Sequence, residues 1–237
     1  MPPITILYKG GRLPSWHSLS RDDQKAHEQE HVDLMLSIAR QHRMMRLEGF
    51  RLMAPQGAYE RFWLIEFPEL ESAEAWINAE MAPTYGTYGD YEYDLARDVQ
   101  PSYCRDWVVS ETPRVEPLTD DPHQVPPLSV DESRVVVLNF ERNEPGVDLE
   151  ASPTDPYLDA MRSVAHDHGL MRLECFALVT PKADWHRVWL AEFPTVEGAE
   201  AWVNTEVSPT HGRKAQRVFQ LSRKWAPRYF ASWIPKG

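Results

Sequence analysis

The sequence predicts an α+β fold made of two copies of one β-α-β-β-α-β unit, and three observations carry that prediction. The chain repeats itself. Shifted by 126 residues, His42 to Val108 matches His168 to Ile234 without a gap, with 29 identities in 67 positions, where chance would give about four. Within each copy the apolar period alternates between two and 3.6 residues in the same order. Between the copies, residues 111–133 carry Pro113, Pro117, Pro122, Pro126 and Pro127 among acidic side chains and no sustained period, which reads as a linker. The expected domains are therefore 1–110, the linker 111–133, and 134–237.

Each element has its own signal. Ile4 to Lys9 and Arg134 to Glu141 read as first strands, the latter through Val135-Val136-Val137-Leu138. His31, Leu34, Met35, Ile38 and His42 recur at helical spacing, as do Tyr157, Met161, Val164 and His168. Two strands follow, Met45 to Ala54 and Glu60 to Phe67, joined around Pro55-Gln56-Gly57. Glu71 to Glu80 is helical, and Pro83 fits the first turn of a further helix running to about Asp98. Pro101 ends it, and Ser102 to Val108 is expected as the last strand.

That order is the ferredoxin-like split βαβ unit. One such unit covers a single face of its sheet with helices, so the other face needs cover, which a second copy supplies. With this element order, and with Ala75-Trp76-Ile77-Asn78 and Ala201-Trp202-Val203-Asn204 opening the last part of each copy, the chain resembles the dimeric α/β-barrel superfamily. The resemblance covers both repeats. It implies two units packed sheet to sheet as an intramolecular dimeric α/β-barrel, which would let a monomer suffice. Members include EthD-like proteins, antibiotic-biosynthesis monooxygenases, polyketide cyclases and, in larger heme-binding forms, the chlorite dismutases and dye-decolourising peroxidases.

Composition narrows the function classes. With 42% hydrophobic residues the chain can bury a core, and no apolar run approaches the roughly 20 residues of a membrane-spanning helix. Met1-Pro2-Pro3-Ile4 has no secretory pattern, so the cytoplasm is the expected location, with Cys104 and Cys175 as free thiols. A net charge of −11 opposes nucleic-acid or anionic-membrane partners and leaves a small molecule as the expected one. No Gly-rich phosphate loop, GxSxG elbow or CxxC is present.

Several residues are candidates for chemistry. His27-Glu28-Gln29-Glu30-His31 satisfies the H-E-x-x-H zinc pattern, but the second copy has Pro153 and Tyr157 at the His positions, so no metal is expected. His31 shares the apolar stripe of its helix and, with Tyr157 opposite number in the second copy, would line a space between helix and sheet. His42 and His168 close the first helix of each copy, where the helix dipole favours them and a base near neutrality would be useful. Arg46 and Glu48, with their copies Arg172 and Glu174, share one strand face. They read as an ion-pair network with Glu66 and Glu192, or as a holder for an anionic substrate. Arg61 with Trp63, and Arg187 with Trp189, would hold an anion over an aromatic surface. Tyr85 and His211 stand at equivalent positions where the copies diverge most, from Tyr-and-acid in the first to basic in the second.

The leading expectation is a small-molecule enzyme of the cyclase or cofactor-free monooxygenase type, acting on an aromatic or polyketide-like compound between sheet and helices. His31, His42, Tyr85, His168 and His211 are its candidate acid-base groups. The alternatives are a non-catalytic ligand-binding or accessory protein, and a heme-binding α/β-barrel protein.

Overall fold

The computed structural model describes residues 2–56, 59–109, 125–128, 130–143, 155–181, 184–209 and 215–233. Most of the Pro-rich linker, and His211, lie outside the described residues. The fold is a mixed α/β one with antiparallel sheet, and it forms two compact units that are discontinuous in sequence. The first runs to Ala96 and takes in the segment from Lys224 onward; the second begins at Arg97 and continues from Asp131 to Arg223.

In the first unit, strand β1 (Ile4–Arg12) leads through a four-residue helix α1 (Pro14–His17) to the long helix α2 (Arg21–Gln41). Ser20 caps α2 by accepting from the Asp23 N–H, and Asp22 and Asp23 place negative charge on its first turn. Strands β2 (Arg46–Gln56) and β3 (Tyr59–Phe67) follow, then helix α3 (Leu70–Glu80), a 3-10 turn at Tyr85–Tyr88 and strand β4 (Gly89–Asp98). Strand β1 lies between β3 and β4, antiparallel to both, and β2 flanks β3. Tyr8 faces Trp63 on one side and Tyr93 on the other; Gly10 faces Arg61 and Tyr91.

The second unit holds β5 (Asp131–Asn143), α4 (Asp155–Asp167), β6 (Arg172–Leu178), β7 (Arg187–Phe193), α5 (Val196–Glu206) and β8 (Ala215–Lys224). Strand β7 pairs antiparallel with β5 and β6, and β8 lies beside β5.

Two elements differ from the sequence reading. Residues 83–98 are not a second helix: after the 3-10 turn they form β4, and residues 215–224 likewise form β8. The interleaving of Tyr91, Tyr93 and Leu95 with Asp90, Glu92 and Asp94 is a period-two pattern, one side for the core and one for the opposite face. The strand expected at Ser102 to Val108 is instead a 3-10 turn, Ser102–Cys104, and its copy is the 3-10 segment Arg228–Trp233. Paired aromatics there serve packing: Trp107 meets Trp202, and Trp233 meets Trp76, edge to face.

The helix-facing side of the first sheet packs Ile4, Ile6 and Ile65 against Met35 of α2 and Trp76 of α3, with Trp225, Phe230 and Trp233 from the C-terminal segment. The other side carries Phe50, Phe62 and Leu64, all fully buried, beside Arg46, Glu48 and Glu66. Arg46 joins Glu66 at 3.0 Å and Glu48 at 3.3 Å. In the second unit Arg172 donates to Glu174 at 3.0 Å. Cys104 and Cys175 are buried and form no disulfide, and burial pushes the Cys175 thiol well up. Among the described residues no helix is long and apolar enough to cross a membrane.

Candidate functional site

The helix-facing side of the first sheet holds a crevice built from four pieces of chain. Strand alternation aims Tyr8 from β1 and Arg61 and Trp63 from β3 toward the helices. Helix α2 contributes His31, α3 ends on Glu80, the following 3-10 turn presents Tyr85, and the C-terminal segment brings Tyr229 and Phe230. The crevice measures about 230 Å³ including its mouth.

Its geometry is tightly linked. His31 Nε2 sits 3.2 Å from Glu80 Oε2, both side chains being buried. The His31 ring stacks on Tyr85 with centroids 3.9 Å apart. The Arg12 guanidinium lies 4.1 Å over the same Tyr85 ring and 4.3 Å over Trp16. At those distances His31 and Arg12 cannot share one face, so Tyr85 is held between them. The Tyr85 hydroxyl donates to the Tyr229 hydroxyl at 2.9 Å. Arg12 Nη2 and Arg61 Nη1 both donate to that same Tyr229 oxygen, each at 3.4 Å.

Two cations thus converge on one neutral oxygen. Burial raises the Tyr229 phenol, outweighing the pull of Arg61 and Arg12, and burial likewise raises Tyr8. Burial lowers the Arg12 guanidinium. Glu28, half-buried on α2, has its carboxyl raised by burial against the opposing pull of Arg12 and Arg61. Arg12 Nη1 and Arg61 Nε are buried with no acceptor, and such donors are costly to leave unmatched. The arrangement presents the Arg61 guanidinium and the Tyr229 hydroxyl to the crevice, with the His31–Glu80 pair in its wall.

Of the residues singled out in the sequence, His31, Arg61, Trp63 and Tyr85 come together here. The others lie elsewhere. His42 and His168 close their helices through backbone N–H bonds to Ile38 and Val164, and neither lines the crevice. Arg46 and Glu48 are on the opposite face of the sheet. His27 turns to the ring of Tyr88, 5.6 Å away, so it does not join His31. Among the described residues no group of three His, Cys, Asp or Glu side chains could hold a metal ion. In the second unit Tyr157 donates to Glu206 at 2.8 Å, and Arg217 lies 3.4 Å from Glu206 and 3.5 Å from Glu141. Arg187 and Trp189 are buried in that unit.

The sequence reading missed Tyr8, Arg12, Glu80 and Tyr229 as site residues. A signal existed for Glu80, which the second copy keeps as Glu206 beside the changed His31/Tyr157 position. Tyr229 pairs with Tyr103 in the repeat alignment, which reads as packing.

No family model and no curated protein matches the chain. Solved structures do. A chlorite dismutase from Candidatus Nitrospira defluvii in complex with imidazole superposes with a TM-score of 0.66 at 10% identity, covering 98% of this chain and 94% of that one. A mutant of that enzyme in complex with cyanide gives 0.65 at 10% identity, over 94% and 91%. A further structure described as a candidate chlorite dismutase gives 0.58 at 14% identity, over 95% and 96%. The chain has the chlorite dismutase fold. This corrects the leading expectation of a cofactor-free cyclase or monooxygenase, and with it the expected absence of a cofactor.

Proposed function

We propose that this chain is a small-molecule-binding protein on the chlorite dismutase fold, with the crevice of the first unit as its site. The observation that carries the reading is a pair of guanidiniums, buried Arg61 and partly buried Arg12, that share Tyr229 as an acceptor, each with a buried nitrogen that has no acceptor. In the second unit Glu206 and Glu141 lie 3.4 Å and 3.5 Å from Arg217, so carboxylates already sit beside that cation. Native mass spectrometry of the protein as purified tests this. A bound small molecule lost in Arg61→Gln supports the reading, and an empty crevice whose Arg61→Gln variant is as stable as the parent sinks it.

Heme is the second reading, favoured by the likeness to chlorite dismutases. The first unit's crevice does not fit it. The crevice, about 230 Å³ even with its open mouth counted, has no room for a porphyrin. His31, the imidazole lining it, has Nε2 against Glu80 and its ring against Tyr85. In the second unit the equivalent position is Tyr157, whose hydroxyl is committed to Glu206. Hemin is expected not to bind through His31: a Soret band that forms on titration should be unchanged in His31→Ala, and a band abolished in that variant would establish heme in this crevice.

The shared identities support a tandem duplication with repeats 1–110 and 134–237. Each repeat's closing segment then belongs to the compact unit of the other repeat, which makes Tyr229 part of the first unit's site.

A further inference from the structure

We propose that the interior of the first unit's crevice is a binding site for one water molecule, held between the Arg61 guanidinium and the Tyr229 hydroxyl. The water belongs to the inner end of the site read above and does not depend on a ligand at its mouth. The crevice has room for about one water, and the groups around it have more protons than acceptors. Tyr85 and Tyr229 share one hydrogen bond, 2.9 Å between their oxygens. Two phenols carry two protons, and that bond uses one of them. The other groups on the Tyr229 oxygen, Arg12 Nη2 and Arg61 Nη1, only donate. One phenol proton is therefore left over. Arg61, 6% exposed, adds a second donor, since its Nε is buried with no acceptor among the described residues. A water accepts from both.

The walls call for a neutral occupant that also donates. Glu80 and Tyr8 line the same crevice, and a carboxylate and a hydroxyl supply acceptors for the water's own two protons. Arg61 and Glu80 bring opposite charges, so an uncharged guest leaves them balanced. The copies show why Arg61 is short of a partner. Across the β5–β7 ladder Arg187 faces Glu141, a carboxylate 2% exposed; across the β1–β3 ladder Arg61 faces Gly10. The Tyr8 side chain folds over that glycine, where a Cβ would run into its hydroxyl and ring. The first unit thus sets a neutral hydroxyl where the second has a charged acceptor, and the water completes the bonding of Arg61. The aromatic walls admit nothing larger, because they already touch one another: Tyr85 is filled on both faces by His31 and Arg12, and Trp63 meets Phe230 edge to face at 5.6 Å.

A high-resolution crystal structure of the full chain, with oxygen-17 relaxation dispersion of the parent and of Arg61→Met in solution, tests the proposal. A single spherical peak of density is expected about 2.7–3.2 Å from Arg61 Nε, and the variant is expected to hold one long-lived water fewer than the parent. The crystallographic measurement needs no substitution, so it decides even if Arg61→Met does not fold. A crevice without density, or Arg61 Nε bonded directly to a protein oxygen, would overturn the water site and leave the ligand-binding reading to its own test. Density for a guest of several atoms would overturn the water site and support that reading. An unchanged count of long-lived waters in a folded Arg61→Met variant would also overturn it.

Discussion

The Tyr85 hydroxyl donates to that of Tyr229, 2.9 Å away across 144 positions of sequence. That bond ties the turn after α3 to the C-terminal segment and sets the oxygen on which Arg12 and Arg61 converge. Tyr229→Phe removes the shared acceptor and leaves three buried donors short at once. Unfolding in urea is expected to show a loss of about 1–3 kcal/mol, and no loss would mean that the guanidiniums do not depend on that oxygen.

Glu48 stands between Arg46 at 3.3 Å and Lys224 at 3.8 Å, all three buried. Glu48→Gln leaves two buried cations with less compensation, and removal of one member of a buried ion pair costs about 3–5 kcal/mol. Equilibrium denaturation checks this; a loss under about 1 kcal/mol would show that Glu66 alone neutralises the cluster.

The end of α2 offers a stabilising change. Arg43 adopts φ 56° where the second copy has Gly169 at φ 65°. Both follow a helix whose last turn is closed by a six-to-one bond, Met44 N–H to Ala39 and Leu170 N–H to Ala165. Arg43→Gly relieves a left-handed conformation that costs an L side chain about 1 kcal/mol or more, so Tm is expected to rise; a fall would mean that the Arg43 side chain outweighs the strain.

Gly49 is held by packing instead. A Cβ there would lie 2.4 Å from the Trp225 carbonyl oxygen and 2.9 Å from the Trp63 ring, while the Trp225 N–H donates to the Gly49 carbonyl at 2.8 Å. Gly49→Ala must push the C-terminal segment off β2 and is expected to cost about 1–3 kcal/mol by overpacking, visible as a lowered Tm and altered tryptophan fluorescence.

Alkaline pH weakens the fold. Burial raises Tyr8, Tyr59, Tyr93 and Tyr229, and pushes Tyr91 up to about 12. Below the ordinary phenol value of 10.0 these groups keep their protons in both folded and unfolded chains, and stability is insensitive to them. Above it the unfolded chain releases protons that the folded chain retains. Unfolding free energy should then fall by about 1.4 kcal/mol per pH unit for each such tyrosine, with Tyr91 contributing until about pH 12. Urea midpoints that stay level through this range would contradict the burial of these phenols.

Much of the fold was legible because the duplication displays it twice. Periodicity alone locates β1, β2, β3 and α3 to within a few residues and the second half of α2, since each buries one face and the buried face sets the period. It also marks His31 as inward-facing. The stretch after Pro83 misled because a proline at a helix start and an acidic, tyrosine-rich run suit a surface helix, while the alternation of tyrosine with acid suits a strand; pairing with β1 decides between them. The site itself needed tertiary structure. Tyr8, Glu80 and Tyr229 are separated by up to most of the chain, and no local pattern reports that a C-terminal turn closes a crevice begun at the first strand. Sequence determined the elements up to α3 and the inward face of each, because those depend on neighbours a few residues apart. Only the fold decided that Arg12 and Arg61 share one phenol oxygen beside a glycine where the copy has a carboxylate, because charge balance in a buried site depends on groups the chain brings together from a distance.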